Sequence, residues 1–269
     1  MRHPPRDLLV LEGEFSGFPP MVEGYAVHAL PGWAALGERV RSAAPSAVVL
    51  ARTGGAGGNA AALVELIRAT PSVPVVAAVP FARATAAQVR ALLEAGIAEV
   101  ATTADEVQLA ALVPTLRRAH ARPLKRRIEQ RLPVWMPEDA RTLIRAAAAT
   151  VVDRGGREEF AGIFGVYERT VANKCAEFRL PPPRRLLGWV RVLLALAMLE
   201  EPRRTVLNVA LTCGYTDNTS LKRAIENFTA SPELGSIRDL SFNDAFDRLS
   251  DELLRLRHEG RRPGSGARA

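Results

Sequence analysis

Over the first 120 residues, consecutive apolar stretches alternate with longer segments that mix apolar and polar positions. The stretches at 8–11, 25–30, 47–50, 73–79 and 99–102 are short and include the β-branched runs typical of strands buried in a parallel sheet. Helical stretches at 33–43, 59–69, 86–95 and 105–120 lie between them. Strands alternating with helices at this spacing predict a doubly wound α/β domain over residues 1–120. Residues 121–137, punctuated by Pro123, Pro133 and Pro137, predict a basic linker with one short helix. Beyond them strand patterns vanish, and residues 138–258 read as an all-helical domain. The last stretch, 259–269, is rich in Gly, Pro and Arg without apolar periodicity and is expected to be disordered.

The most informative segment is VLNVALTCGYTDNTSLKRAIENF, residues 206–228. Val206, Val209, Ala210 and Cys213 fall at i, i+3, i+4 and i+7, the spacing of one buried helix face. Leu221, Ala224, Ile225 and Phe228 repeat it. Between the two sets Gly214 supplies a turn position free of Cβ strain, and Thr216 is a candidate cap for the second helix. A helix, a tight glycine turn and a second helix form a helix-turn-helix, whose second helix enters the DNA major groove. With the apolar set inward, Thr219, Lys222, Arg223 and Glu226 occupy the opposite face, flanked by Asn218 and Ser220. Asn reads adenine through paired hydrogen bonds, and Arg reads guanine. Asp217 is an acid where phosphate would be repelled, but near a helix N-terminus it suits the dipole or a cap.

An earlier segment has a weaker version of the same pattern. Phe160, Ala161, Ile163 and Phe164 precede Gly165, and residues 169–178 place Val171, Cys175 and Phe178 on one face. Gly155 and Gly156 stand where a capping Ser or Thr is usual, and Gly162 weakens the short helix. Between the two units, residues 184–201 form a long helix that is apolar nearly all round, as a spine packed on several sides would be.

The stretch VALTCGYTDNTSLKRAI resembles the second helix-turn-helix signature of AraC-type transcription regulators: Ala, a Cys-Gly-aromatic turn, small polar residues, then Arg before an apolar residue. The resemblance implies two helix-turn-helix units joined by a long helix. It points to Asn218, Thr219, Lys222 and Arg223 as DNA contacts in the second unit, where Ser220 is a further candidate by its place near the helix N-terminus, and to Arg169, Thr170 and Asn173 in the first. Arg203 and Arg204 are expected at the phosphates, as is the basic run Lys125-Arg126-Arg127. Double-stranded DNA is the partner implied, and the resemblance also admits RNA polymerase and a second copy of the chain, bound through the N-terminal domain.

That N-terminal domain, in turn, resembles the receiver domain of bacterial response regulators in its order of segments: GYAV, PSAVVLA, PSVPVVAAV and ALLEAGIAEVATT. It departs from the family at the positions of phosphotransfer. Ala51 matches the phosphoacceptor Asp, Val79 the Ser/Thr, Thr103 the Lys, and Glu12 stands alone for the acidic pair. Phosphorylation needs a carboxylate nucleophile and a carboxylate Mg²⁺ site. The expectation is therefore a receiver-like (flavodoxin-like) fold without phosphorylation chemistry. Only residues 15–23, with two prolines, remain for its first helix.

Composition changes little in this picture. A net charge of +7 and a pI near 10.2 favour a polyanionic partner, and the arginines thicken from Arg117 onward. No apolar run approaches a bilayer span, and prolines interrupt the start where a signal peptide needs an apolar core. A cytoplasmic protein with Cys175 and Cys213 as reduced core thiols is expected, with no metal and no cofactor. The loop TGGAGGN at 53–59 loosely fits a dinucleotide fingerprint, but it follows the third strand and lacks a ribose-binding acid. His3, His28, His120 and His258 are scattered, so no catalytic cluster emerges and an enzyme is not expected. The competing reading is a protein-interaction adaptor that no longer binds DNA specifically.

Overall fold

A computed structural model describes residues 5–15, 19–42, 48–52, 60–80, 85–103, 109–201, 204–230 and 236–259. The chain forms two compact units, one of residues 1–124 with 201–212, the other of residues 125–200 with 213–269. The glycine-rich loop at 53–59, Arg203 and the 260–269 stretch of the tail lie outside the described residues.

The first unit is built on a six-stranded sheet. Its strands are β1 (Arg6–Leu11), β2 (Met21–Val22), β3 (Tyr25–Leu30), β4 (Val48–Arg52), β5 (Val75–Pro80) and β6 (Glu99–Thr103). The order is β2-β3-β1-β4-β5-β6, and every pairing is parallel except that of β2 with β3. Counting only the parallel strands in chain order, the sheet runs 2-1-3-4-5. Helices α1 (Trp33–Ser42), α2 (Ala60–Ala69), α3 (Ala86–Ala95) and α4 (Leu109–His120) alternate with the strands. The continuous apolar runs are continuous because both faces of the sheet are covered. One core gathers Leu9, Val49 and Ala77 with Leu36 and Leu63, and the other gathers Leu8, Leu50 and Val76 with Leu112 and Leu116.

Two features of this unit depart from the sequence expectation. No helix forms among the described residues between β1 and β3; the two-residue strand β2 pairs there instead, beside Pro19 and Pro20. Two residues are too few for any periodicity to show. The second departure is Arg204, expected at a phosphate. It is 3% exposed, its guanidinium Nε bonds Glu201 at 2.5 Å, and an amino group lies 3.4 Å from the Ser72 hydroxyl. Glu201 in turn accepts the Ser72 backbone N–H at 2.6 Å. A buried arginine committed to a buried carboxylate is not available to a duplex. The short helix α10 (Val206–Thr212) follows this anchor and belongs to the same unit.

The second unit is helical: α6 (Glu138–Val152), α7 (Arg157–Gly162), α8 (Glu168–Glu177), α9 (Pro183–Leu199), α11 (Asn218–Thr229) and α12 (Phe242–Glu259), with a 3₁₀ turn at Ile237–Asp239. Helix α9 packs against α6, α7, α8, α11 and α12. This is why Leu186, Leu187, Trp189, Val190, Val192, Leu193 and the residues at 195–199 are all buried, leaving no single apolar stripe. Pro182 precedes it and Pro183 opens it, where a missing N–H costs nothing. Residues expected as a linker carry α5 (Arg122–Glu129), and its Leu124 and Ile128 are buried, as are Leu132 and Met136 after it. Among the described residues no helix is long and apolar enough to cross a membrane.

Removing one member of a buried ion pair strands the other without compensation. Arg204→Ala should therefore destabilise the first unit by about 3 kcal/mol, read by denaturant unfolding. A change below about 0.5 kcal/mol, the usual range for a surface site, would show that Arg204 is not the buried anchor described.

Candidate nucleic-acid interface

Two helices of the second unit, α8 and α11, each follow a left-handed glycine. Gly165, at φ +64°, precedes α8, and Gly214, at φ +81°, precedes α11. Each reverses the chain at a backbone conformation that a Cβ would strain. Of the two candidate caps, Thr216 and Asp217, it is Asp217 that starts helix α11. The Asp217 carboxylate accepts the Ser220 backbone N–H at 2.7 Å, and the Ser220 hydroxyl accepts the Asp217 N–H at 3.1 Å. The Thr216 hydroxyl lies beside both side chains, at 3.3 Å from Ser220 and 3.4 Å from Asp217. A carboxylate is the better cap because it takes the exposed first-turn N–H groups with a full negative charge at the positive end of the helix. The Ser220 N–H and the other donors around it hold the Asp217 pKa below the ordinary carboxylate value.

The outward faces of both helices are polar. On α11, Asn218, Thr219 and Arg223 are exposed, and Lys222 is half-buried, 3.7 Å from Glu226. Asn227, four residues beyond Arg223, extends the exposed line and was missed by the sequence reading, although the spacing itself nominates it. Ser220 stands apart from this set, because its hydroxyl is taken by the cap and donates to the Asp217 carbonyl at 2.8 Å. On α8, Arg169 and Asn173 are exposed and Thr170 is half-buried. Exposed Ala172 and Ala176 interleave with them, so this face is flat and low. Tyr167, immediately before α8, is 86% exposed and was likewise missed. Of the expected inward set, Val171 and Cys175 are buried and Phe178 is half-buried, whereas Ile163 is about half exposed at 51%. Burial pushes the Cys175 thiol up to about 11, which keeps it protonated and inert.

What fixes α11 on the spine is a ring seated on a glycine. A Cβ on Gly188 of α9 would stand 2.3 Å from the Phe228 ring, so only glycine lets the ring settle there. The adjacent Trp189 meets the ring edge-on at 5.1 Å between centroids, and the Arg185 guanidinium lies 5.3 Å from its centroid. Glu252 of α12 locks both neighbours: it takes two hydrogen bonds from Arg185, at 2.6 and 2.7 Å, and one from the Trp189 indole at 2.8 Å. Burial pushes the Glu252 pKa up, but the Arg185 and Trp189 hydrogen bonds and the Arg185 charge outweigh it, and the net shift is downward. Nearby, the Tyr215 phenol is pushed up to about 12, chiefly by burial. It stands beside the turn as a neutral group.

The arginines therefore sort into two classes. Arg127 bonds Glu200 at 2.7 Å and lies over the Phe242 ring, so the basic run at 125–127 loses this member to the fold. Arg131 pairs with Asp247, Arg141 and Arg145 with Glu129, and Arg185 with Glu252. Arg169 and Arg223 have no acidic partner among the described residues. No group of His, Cys, Asp and Glu among the described residues is arranged to hold a metal ion.

The chain matches no model of a known protein family, and no curated protein matches it.

Two outcomes follow from the seat under α11. Gly188→Ala should cost about 1–3 kcal/mol through overpacking, measured by unfolding followed through tryptophan fluorescence; an unchanged midpoint would mean that the ring does not rest there. Because the Glu252 pKa is lowered on folding, its contribution is present above the ordinary value of 4.5 and is lost as pH falls through the folded value. Stability of the second unit should drop below about pH 4.5, and Glu252→Gln should flatten that drop. An equally steep acid limb in Glu252→Gln would place the titrating group elsewhere.

Proposed function

We propose that this chain is a sequence-specific DNA-binding regulator of the AraC type, not an enzyme. The observation that carries the reading is α11: a glycine turn, an acid-capped helix start, an apolar face seated on α9, and an outward face of Asn218, Thr219, Lys222, Arg223 and Asn227. Such a helix presents hydrogen-bonding side chains to base edges while its buried face fixes its register. Helix α8, on the same spine and after its own glycine turn, offers Arg169, Thr170 and Asn173. That Arg169 and Arg223 have no acidic partner among the described residues supports the reading.

The first unit is proposed as a receiver-like regulatory domain that is not phosphorylated. Support comes from the 2-1-3-4-5 order of its parallel strands, an order shared by flavodoxin-like doubly wound sheets. Ala51 is fully buried in β4 and offers no nucleophile. The acid that reaches the carboxyl end of this strand is Glu14, not the exposed Glu12. Its carboxylate accepts the Arg52 backbone N–H at 2.8 Å, and burial raises its pKa despite that bond. A regulatory domain of this kind is also the part of the chain proposed to bind a second copy.

One observation favours the competing adaptor reading. Helix α10, the first helix of the second helix-turn-helix, belongs to the first unit, whereas α11 belongs to the second. Selection from a randomised duplex pool separates the readings. The wild type should enrich one site. Arg223→Ala should weaken that site by about 1–3 kcal/mol and relax preference at one base pair. Equal loss on selected and scrambled duplexes would make Arg223 a phosphate anchor, and a wild type with no preference would favour the adaptor.

A further inference from the structure

Four helices end with the same pair of backbone hydrogen bonds. At the end of α3, Gly96 N–H bonds Leu93 O and Ile97 N–H bonds Leu92 O; after α7, Gly165 N–H bonds Gly162 O and Val166 N–H bonds Ala161 O. After α6, Arg154 N–H bonds Val151 O and Gly155 N–H bonds Thr150 O. After α8, Arg179 N–H bonds Ala176 O and Leu180 N–H bonds Cys175 O, at 3.1 and 2.8 Å. This double closure requires a left-handed residue at its first donor, and glycine fills that place most readily. It does so at Gly96 and Gly165, at φ +98° and +64°. Arginine stands there at Arg154 and Arg179, at φ +58° and +57°.

Arg179 is the more telling of the two. Its backbone does what glycine would do with less strain, so the closure alone does not account for the side chain. Nor does an ion pair account for it: Arg179 is exposed and has no acidic partner among the described residues. The arginines that serve the fold, such as Arg127, Arg145 and Arg185, all have one. Lys174 before it and Arg184 after it are also exposed without an acidic partner among the described residues. The corner that joins α8 to the spine thus carries three exposed cations without an acidic partner among the described residues, beside a single exposed acid, Glu177.

We propose that Arg179 is a phosphate-backbone anchor for the duplex read by α8, a role that rests on the DNA-binding reading above. A guanidinium on a rigid helix end is matched to a phosphate by its planar fork and permanent charge. Fixed beyond the end of α8, it would set how that helix lies along the duplex without touching a base edge. The competing explanation is attraction between the cation and the negative end of the α8 dipole, which needs no DNA.

The test compares the full-length wild type with Arg179→Gly, Arg179→Ala and Ala230→Gly. Ala230 is the left-handed residue that ends α11, at φ +52°, so its replacement changes a helix end in the same way without removing a charge. Binding to a mixed-sequence duplex of about three helical turns is measured across a potassium chloride series, with thermal melting beside it. Both Arg179 variants should bind roughly 3- to 10-fold more weakly at low salt, on any sequence, with a log–log salt slope shallower by about one. Arg179→Gly should melt no lower than wild type, and Ala230→Gly should keep the wild-type slope. Arg179 variants with a wild-type slope would overturn the anchor and leave the DNA reading intact. A shallower slope in Ala230→Gly as well would assign the effect to helix-end geometry and overturn it too. A wild type without salt-dependent binding would remove the DNA reading itself.

Discussion

The helical unit depends on one buried carboxylate. Glu252 gathers the Arg185 guanidinium and the Trp189 indole on one face of α9, and the Phe228 ring of α11 settles between them over Gly188. Each part requires the others. An unpaired Glu252 would be a desolvated charge, and a larger residue at 188 would push the ring away. Without Phe228, Arg185 would lose the aromatic face it covers. The result is that three helices meet through side chains with fixed geometry, so the outward face of α11 has one register and not several.

That constraint also explains how a chain of net charge +7 uses its cations. Several of the arginines that raise the pI are internal fasteners: Arg204 on Glu201, Arg127 on Glu200, Arg141 and Arg145 on Glu129, Arg185 on Glu252. A basic cluster in the sequence is therefore a poor guide to where a polyanion would bind. The charges left over on the outside of α8, α11 and the corner after α8 are more informative. They include Arg169, Lys174, Arg179 and Arg223.

Much of the architecture was legible from hydrophobic spacing. The parallel strands, the helices between them, the long spine and the α11 face with Leu221 and Ile225 inward all follow from runs and three-to-four periodicity. What was not legible has physical reasons. Strand β2 is too short to show a period. Arg204 and Glu201 are near neighbours, but that both meet Ser72, far away in sequence, shows only in the fold. The Asp217 cap was weighed against Thr216, and only geometry shows which oxygen meets the Ser220 N–H. The packing of α12 on α9 was legible in part, since Phe242, Ala245, Phe246, Leu249 and Leu253 repeat at helical spacing along α12. Glu252, adjoining that stripe, gives no sign in sequence that it reaches Arg185. Left-handed arginines leave no sequence mark at all, because nothing local distinguishes Arg179 from a solvent-facing helix residue.

The outward faces of α8 and α11 are proposed to carry a duplex. The chain has three lysines, Lys125 on α5, Lys174 on α8 and Lys222 on α11, which makes lysine footprinting a direct test. Acetylation of each would be followed by peptide mass spectrometry with and without saturating duplex at low salt. Protection of Lys174 and Lys222 is the result expected. Lys174 and Lys222 acetylated as fast in the presence of duplex as in its absence would contradict the account.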